Sequence, residues 1–97
     1  MGKGTPPKKD YCVLFNIEKD PAEGELEFYF TSEEKKNYSL QILDSDMLLI
    51  EEVLSKECFI GGNIVRFDSS KLKNGQYYYC LKTDNQKTMK KMRVSNP

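Results

Sequence analysis

The sequence predicts an all-β fold, an antiparallel two-sheet β-sandwich of about seven short strands. Three observations lead there. Apolar and polar residues alternate with a period of two in run after run, which sets one face of a strand on a core and the other in water. The runs are short, near-regularly spaced and separated by Gly, Pro, Asn, Asp and Ser, the residues that turns require. No stretch carries an unambiguous helical period.

The organising strand lies in Leu72 to Thr83, LKNGQYYYCLKT. Asn74-Gly75 marks a turn because both residues tolerate positive φ. Beyond it Tyr77, Tyr79 and Leu81 fall on one face, expected to be the core face. Gln76, Tyr78, Cys80 and Lys82 fall on the other, which is mixed but wettable. This reads as a central strand.

From the start, Met1 to Asp10 is rich in Gly, Pro and Lys and has nothing to bury, so residues 1–10 are expected to be a flexible leader. A single domain is expected over 11–94, followed by a tail, 95–97. Tyr11 to Ile17 is the first strand, with Tyr11, Val13, Phe15 and Ile17 expected inward. Glu18 to Gly24 is a loop, because Pro21 lacks a donor and Gly24 permits the turn. Glu25 to Thr31 sets Leu26, Phe28 and Phe30 against Glu25, Glu27, Tyr29 and Thr31, a half-buried strand. Asn37 to Asp44 repeats the pattern with Tyr38, Leu40 and Ile42. Its polar link to the previous strand, SEEKK, reads as a hairpin connection.

Asp44 to Ile60 supports two readings. Ser45 or Asp46 could cap a helix with Met47, Ile50, Leu54 and Cys58 on its apolar face. The strand-turn-strand order on either side favours a strand, ended by the turn at Gly61-Gly62. We expect the strand. Asn63 to Asp68 buries Val65 and Phe67, and Leu72 continues that burial beyond Ser69-Ser70-Lys71. Asp84 to Lys87 is a tight polar turn, and Thr88 to Val94 is the last strand with Met92 and Val94 inward.

Composition narrows the function. A chain of 97 residues is one domain, able to bury roughly two-thirds of its unfolded surface. Lys plus Arg equals Asp plus Glu at 15 each, so no global field attracts nucleic acid. Locally the balance is uneven. Residues 18–34 carry seven acids against Lys19, whereas residues 82–93 carry five bases against Asp84. No apolar run reaches the roughly 18 residues of a membrane span, so no membrane insertion is expected. Cys12, Cys58 and Cys80 are odd in number and widely spaced, unlike a disulfide framework or a zinc site, and read as small buried hydrophobes.

Catalysis finds little footing. Histidine is absent, which removes the imidazole base and the common triads. Glu33-Glu34 and Glu51-Glu52 are adjacent in strand-like sequence and diverge rather than converge on one atom. Asp44-x-Asp46 offers two carboxylates near a turn, too few for a calcium site, and fits an Asx-type turn. No cofactor or metal is expected. Tyr77 to Tyr79 could stack bases or sugars, but a strand turns only Tyr78 outward, and core packing is the plainer use. Gly75-x-Tyr77 resembles the tyrosine corner of immunoglobulin domains, although the Cys of that pattern would fall at Tyr79 and the chain has no Trp. Asn37-Tyr38-Ser39 fits a glycosylation sequon. Lys90, Lys91 and Arg93 on the last strand fit a docking patch for an acidic partner, or a guard against edge-to-edge pairing.

From Pro21 to Val94 the chain resembles the C-terminal sorting domains of the type IX secretion system of Bacteroidetes. The pieces that carry the resemblance are PAEGELEFYF, NYSLQILDSD, GGNIVRFDSSKLKNGQYYYCLKT and KTMKKMRV. Within them the family's positions are Pro21, Asp44, the Gly62-Asn63 turn, Leu72, Gly75, Tyr77 and Lys90-Lys91. Asp46-Met47 stands where the family usually has Gly. The resemblance implies an immunoglobulin-like sandwich that is itself an export signal. Such a domain docks to the secretion machinery, is processed by a sortase-like enzyme at the cell surface, and is not an enzyme. It also implies strand for the ambiguous segment, an exported cargo, and translocon contact through Lys90, Lys91 and Arg93, with the chain acting as a monomer. A stand-alone adhesion module binding a protein or glycan is the alternative.

Overall fold

The computed structural model describes residues 12–84 and 86–97. The expected leader and Tyr11 lie outside the described residues. In chain order the strands are β1 (Cys12–Leu14), β2 (Glu25–Ser32), β3 (Asn37–Asp44), β4 (Leu49–Glu57), β5 (Gly61–Asp68), β6 (Gly75–Lys82) and β7 (Lys87–Val94). One sheet has the order β1-β2-β5 and the other β4-β3-β6-β7, and every pairing within them is antiparallel. Three strands against four is the division found in immunoglobulin-like sandwiches, here with the fourth strand beside the third. The doubtful segment is strand, β4.

The core forms where the two alternations meet. Leu26, Phe28 and Phe30 of β2, with Val65 and Phe67 of β5, face Tyr38, Leu40 and Ile42 of β3 and Tyr77, Tyr79 and Leu81 of β6. Phe28 is fully buried, its ring 5.1 Å from that of Tyr79 and 6.5 Å from that of Phe67. Phe30 meets Tyr38 edge to face at 4.7 Å. Each such aromatic pair adds about 0.5–1.5 kcal/mol beyond the area it hides. Met92 and Val94 of β7 close the same core. All three cysteines are free and buried.

Two expectations are corrected. In β1 it is Cys12 and Leu14 that are buried, while Val13 and Phe15 are exposed. Both faces of YCVLFNI are apolar, so alternation alone cannot choose between them, and register decides. Cys12 pairs with Ser32 and Leu14 with Phe30, both inward-facing residues of β2. The Gln86 side chain fixes that register: its Oε1 accepts from the Cys12 N–H at 2.8 Å and its Nε2 donates to the Cys12 carbonyl at 2.6 Å. The outward residues Phe15 and Tyr29 then stack against each other at 5.1 Å. Second, β2 and β3 are not a hairpin. Their strands belong to different sheets, so SEEKK crosses the sandwich, and Cys58 holds its far side by donating to the Lys36 carbonyl. Cys80, on the mixed face of β6, is buried as read for the three cysteines, with Gln41 and Met89 as its cross-strand neighbours.

Turn chemistry fixes the ends. Asp44 Oδ1 accepts from the N–H groups of Asp46 and Leu48, the Asx-type turn expected there. Gly62 is the second residue of β5 and lies under Tyr29, whose hydroxyl would come within 2.8 Å of any added Cβ. Asn63, buried, receives the Phe59 N–H and donates to the Phe59 and Gly61 carbonyls, holding the bend before β5. The segment Ser69–Lys71 is a single 3-10 turn capped by the Asp68 carboxylate.

Candidate functional site

The four-stranded sheet has two open edges, and the basic one is β7. It pairs with β6 in unbroken register from Gly75 opposite Val94 to Lys82 opposite Lys87. Residues directly opposite one another share a face. Lys91 pairs with Tyr78 and Arg93 with Gln76, so these two bases stand together on the outer face, both exposed. Lys90 pairs with the core residue Tyr79 and starts on the inner face, half-buried. The structure therefore brings Lys91 and Arg93 together and sets Lys90 apart from them.

One end of this edge is closed. Ala22, in the loop before β2, forms a parallel bridge with Val94: its N–H donates to the Arg93 carbonyl at 2.7 Å and its carbonyl accepts from Ser95 at 2.9 Å. Asn96 locks that end. Its Oδ1 accepts from the Gly24 N–H, its Nδ2 donates to the Ser69 carbonyl, and its backbone exchanges hydrogen bonds with the Asn74 side chain in both directions. Toward Lys87 the edge runs on with no further bridge among the described residues. Beside the closed end, a shallow cleft of about 440 Å³ is lined by Lys19, Lys91 and Arg93, with Asp20, Gln76 and Tyr79. Three bases against one acid favour an anionic visitor. Lys19 is held in place by the Glu23 and Glu25 carbonyls.

Tyr77 anchors the turn into β6. Its hydroxyl donates to the Lys73 carbonyl at 2.7 Å, the tyrosine-corner bond, while Gly75 between them opens the strand at φ 151°. Asn63 was read from sequence as part of a turn, whereas neither Asn96 nor Gln86 was singled out, although each carries a backbone contact that two segments share. Their only signal is a polar side chain beside a turn, and the partners of Asn96 and Gln86 lie 22 to 74 positions away.

Among the described residues four ionisable groups depart from their ordinary pKa. Burial pushes the Cys80 thiol up, against the pull of Lys87 and Lys82, the wrong direction for a thiolate nucleophile. Burial likewise raises the Tyr38 phenol, with Cys58 adding to it, and raises Tyr79, whose oxygen accepts from the Ile17 N–H. Asp68 alone moves down, because the Ser70 hydroxyl and amide donate to it. Among the described residues no cluster of His, Cys, Asp or Glu could hold a metal ion. No helix among them is long and apolar enough to cross a membrane.

The described residues thus form an antiparallel sandwich whose basic edge strand, β7, is open along most of its length. Residues 20–95 match the secretion system C-terminal sorting domain of the Por type, and the chain belongs to that family. No curated protein matches the chain. Domains of this family target their cargo to type IX secretion. The chain is accordingly a non-catalytic sorting module, it interacts with the type IX machinery, and its cargo is exported to the cell surface or released.

Proposed function

We propose that the machinery reads this domain through the basic edge of β7, with Lys91 and Arg93 on the outer face and Lys90 at the rim, and that it engages one copy at a time. The observation that carries the reading is the combination of unbroken register, an open edge and four bases, Lys87, Lys90, Lys91 and Arg93, without an acid in β7. Such a strand offers free backbone groups and a positive field to an acidic segment of the translocon, where steering raises the rate of encounter. The closed end sets where that contact stops, because the Ala22 bridge already occupies the Arg93 carbonyl. Gly62, Asn63, Gly75 and Tyr77 serve this site indirectly by holding the bends that keep β5 and β6 in place.

Truncating the strand is a poor test, since Met92 and Val94 are core residues and their loss unfolds the sheet. Charge reversal separates docking from folding. A reporter carrying a periplasmic export signal and this chain at its C-terminus, with Lys90→Glu, Lys91→Glu and Arg93→Glu, should keep its melting temperature within a few degrees. Its machinery-dependent secretion should fall by about tenfold or more, the loss of roughly 1.4 kcal/mol or more of docking energy. Normal secretion by the folded triple variant would refute the reading.

A further inference from the structure

The opposite edge of the same sheet ends in an unusual projection. Met47, Leu48, Leu49 and Ile50, at the tip of the β3–β4 hairpin, are 49%, 62%, 55% and 46% exposed. Single exposed aliphatics are ordinary, but here four stand in sequence, Met47 and Leu48 in the connection and Leu49 and Ile50 opening β4, and make the hairpin tip an apolar knob. The turn does not let them fold back. Asp44 Oδ1 holds the N–H groups of Asp46 and Leu48, Met47 donates to the Asp44 carbonyl, and Asp44 donates to the Leu48 carbonyl. Met47 sits at φ 67°, the only non-glycine residue in the left-handed region among those described. A side chain held there is strained, and such strain persists where the surroundings over-determine it and concentrates at binding sites. The charges around the knob have one sign. From Asn37 to Ser55 the hairpin carries Asp44, Asp46, Glu51 and Glu52 and not one Lys or Arg.

We infer that this knob is a second docking element, which inserts into an apolar pocket rimmed by Lys or Arg side chains on a protein of the type IX machinery. The shape is convex, so the partner supplies the pocket. The acidic collar fixes the sign of its rim and disfavours an anionic lipid surface, where four carboxylates would be repelled. Preorganisation by the Asx turn reduces the ordering cost of binding. The β4 strand behind the knob is bulged twice, opposite Leu40/Gln41 and Ile42/Leu43, which spoils it as an edge for strand addition. Side-chain insertion at the tip is therefore the mode left to this edge. The inference rests on the docking role proposed above but uses a separate surface, since β3 and β6 lie between β4 and β7.

The test uses the full chain in two assays: reporter secretion, and titration against the detergent-solubilised type IX outer-membrane complex at low and high salt. Leu48→Ser with Leu49→Ser should leave the melting temperature within roughly 3 °C, because both side chains are exposed, while binding and secretion fall by about tenfold. Leu48→Ile with Leu49→Ile should restore both. Glu51→Lys with Glu52→Lys should weaken binding at low salt and flatten its salt dependence. Wild-type binding and secretion by the folded serine variant would overturn the inference. So would loss of binding to phosphatidylethanolamine vesicles in its place, which would make the knob a lipid anchor, or loss of a dimer in sedimentation, which would make it a self-contact. A defect confined to the β7 charge reversal overturns the knob and leaves the basic edge standing. A defect confined to the serine variant supports the knob and overturns the basic edge.

Discussion

The two open edges of the four-stranded sheet are built in opposite ways. β7 is basic and in continuous register, and its C-terminal end is clamped by Ala22 and Asn96. β4 is acidic, twice bulged and carries an apolar tip held by a left-handed methionine. Both rest on one core, yet only one of them keeps an edge that another strand could use. An edge left regular is a hazard unless it is charged or covered, and β7 is both charged along its length and covered at one end. An edge that is bulged needs no such guard and is free to present side chains instead. On the reading proposed here both edges are surfaces of contact, and their backbone regularity decides the kind of contact each would make.

The comparison breaks most completely if the shared core fails. Phe28→Ala removes the ring that packs against both Tyr79 and Phe67 and should cost about 3–5 kcal/mol, read as a lower urea midpoint with both edges lost together. Unfolding in two separated steps would show that the edges are independent. A smaller effect, confined to the basic side, is expected from Asn96→Ala. It leaves the Gly24 N–H and the Ser69 carbonyl without their side-chain partner and should cost about 1–3 kcal/mol, with amide exchange rising first in β7 and the Gly24 loop. Uniform exchange across the sheet would contradict a local clamp. On the acidic side the sign reverses. Met47→Gly relieves the left-handed strain and should stabilise the domain by about 1 kcal/mol in the same urea assay, while removing one residue of the knob.

The smallest effect is in pH. The folded-state pKa of Asp68 lies below its ordinary 3.8, so its contribution is present above that value and is lost as pH falls through the folded pKa. Acid titration of Asp68→Asn should show slightly less loss of stability below pH 3.8 than the parent. Tyr38 and Tyr79 are raised from 10.0, so their contribution holds below that pH and is lost as pH rises through the folded values. Tyr79→Phe should therefore blunt alkaline destabilisation.

How much of this was legible in the residues depended on whether one face of a strand was apolar or two. In β2, β3 and β6 one set is clearly the more apolar, and Phe28, Leu40 and Tyr79 fall where alternation puts them. β1 has two apolar sets, so its orientation came from Gln86, 74 positions away. β4 resembled a helix because of its bulges. An extra residue at Val53 and another at Ile50 turn a spacing of two into three, so Leu54 and Glu51 end up opposite Leu40 and Ile42 on one face. The basic residues of the last strand were visible as a run. That Lys91 and Arg93 share the outer face while Lys90 starts inward required the register with β6. The clamp was not visible, since its hydrogen bonds join segments far apart; of the knob only the Asx turn at Asp44 was visible, and not the exposure of Met47 to Ile50 beside it.

The most direct test of the central claim, that this folded domain directs its cargo to the type IX machinery, is secretion of a fluorescent reporter. The reporter carries a periplasmic export signal and the whole chain at its C-terminus, and is expressed in a host with and without its type IX machinery. Reporter at the surface or in the medium only when the machinery is present is the expected result. Retention in the periplasm of both hosts, with the domain shown to be folded by its resistance to protease, would contradict it.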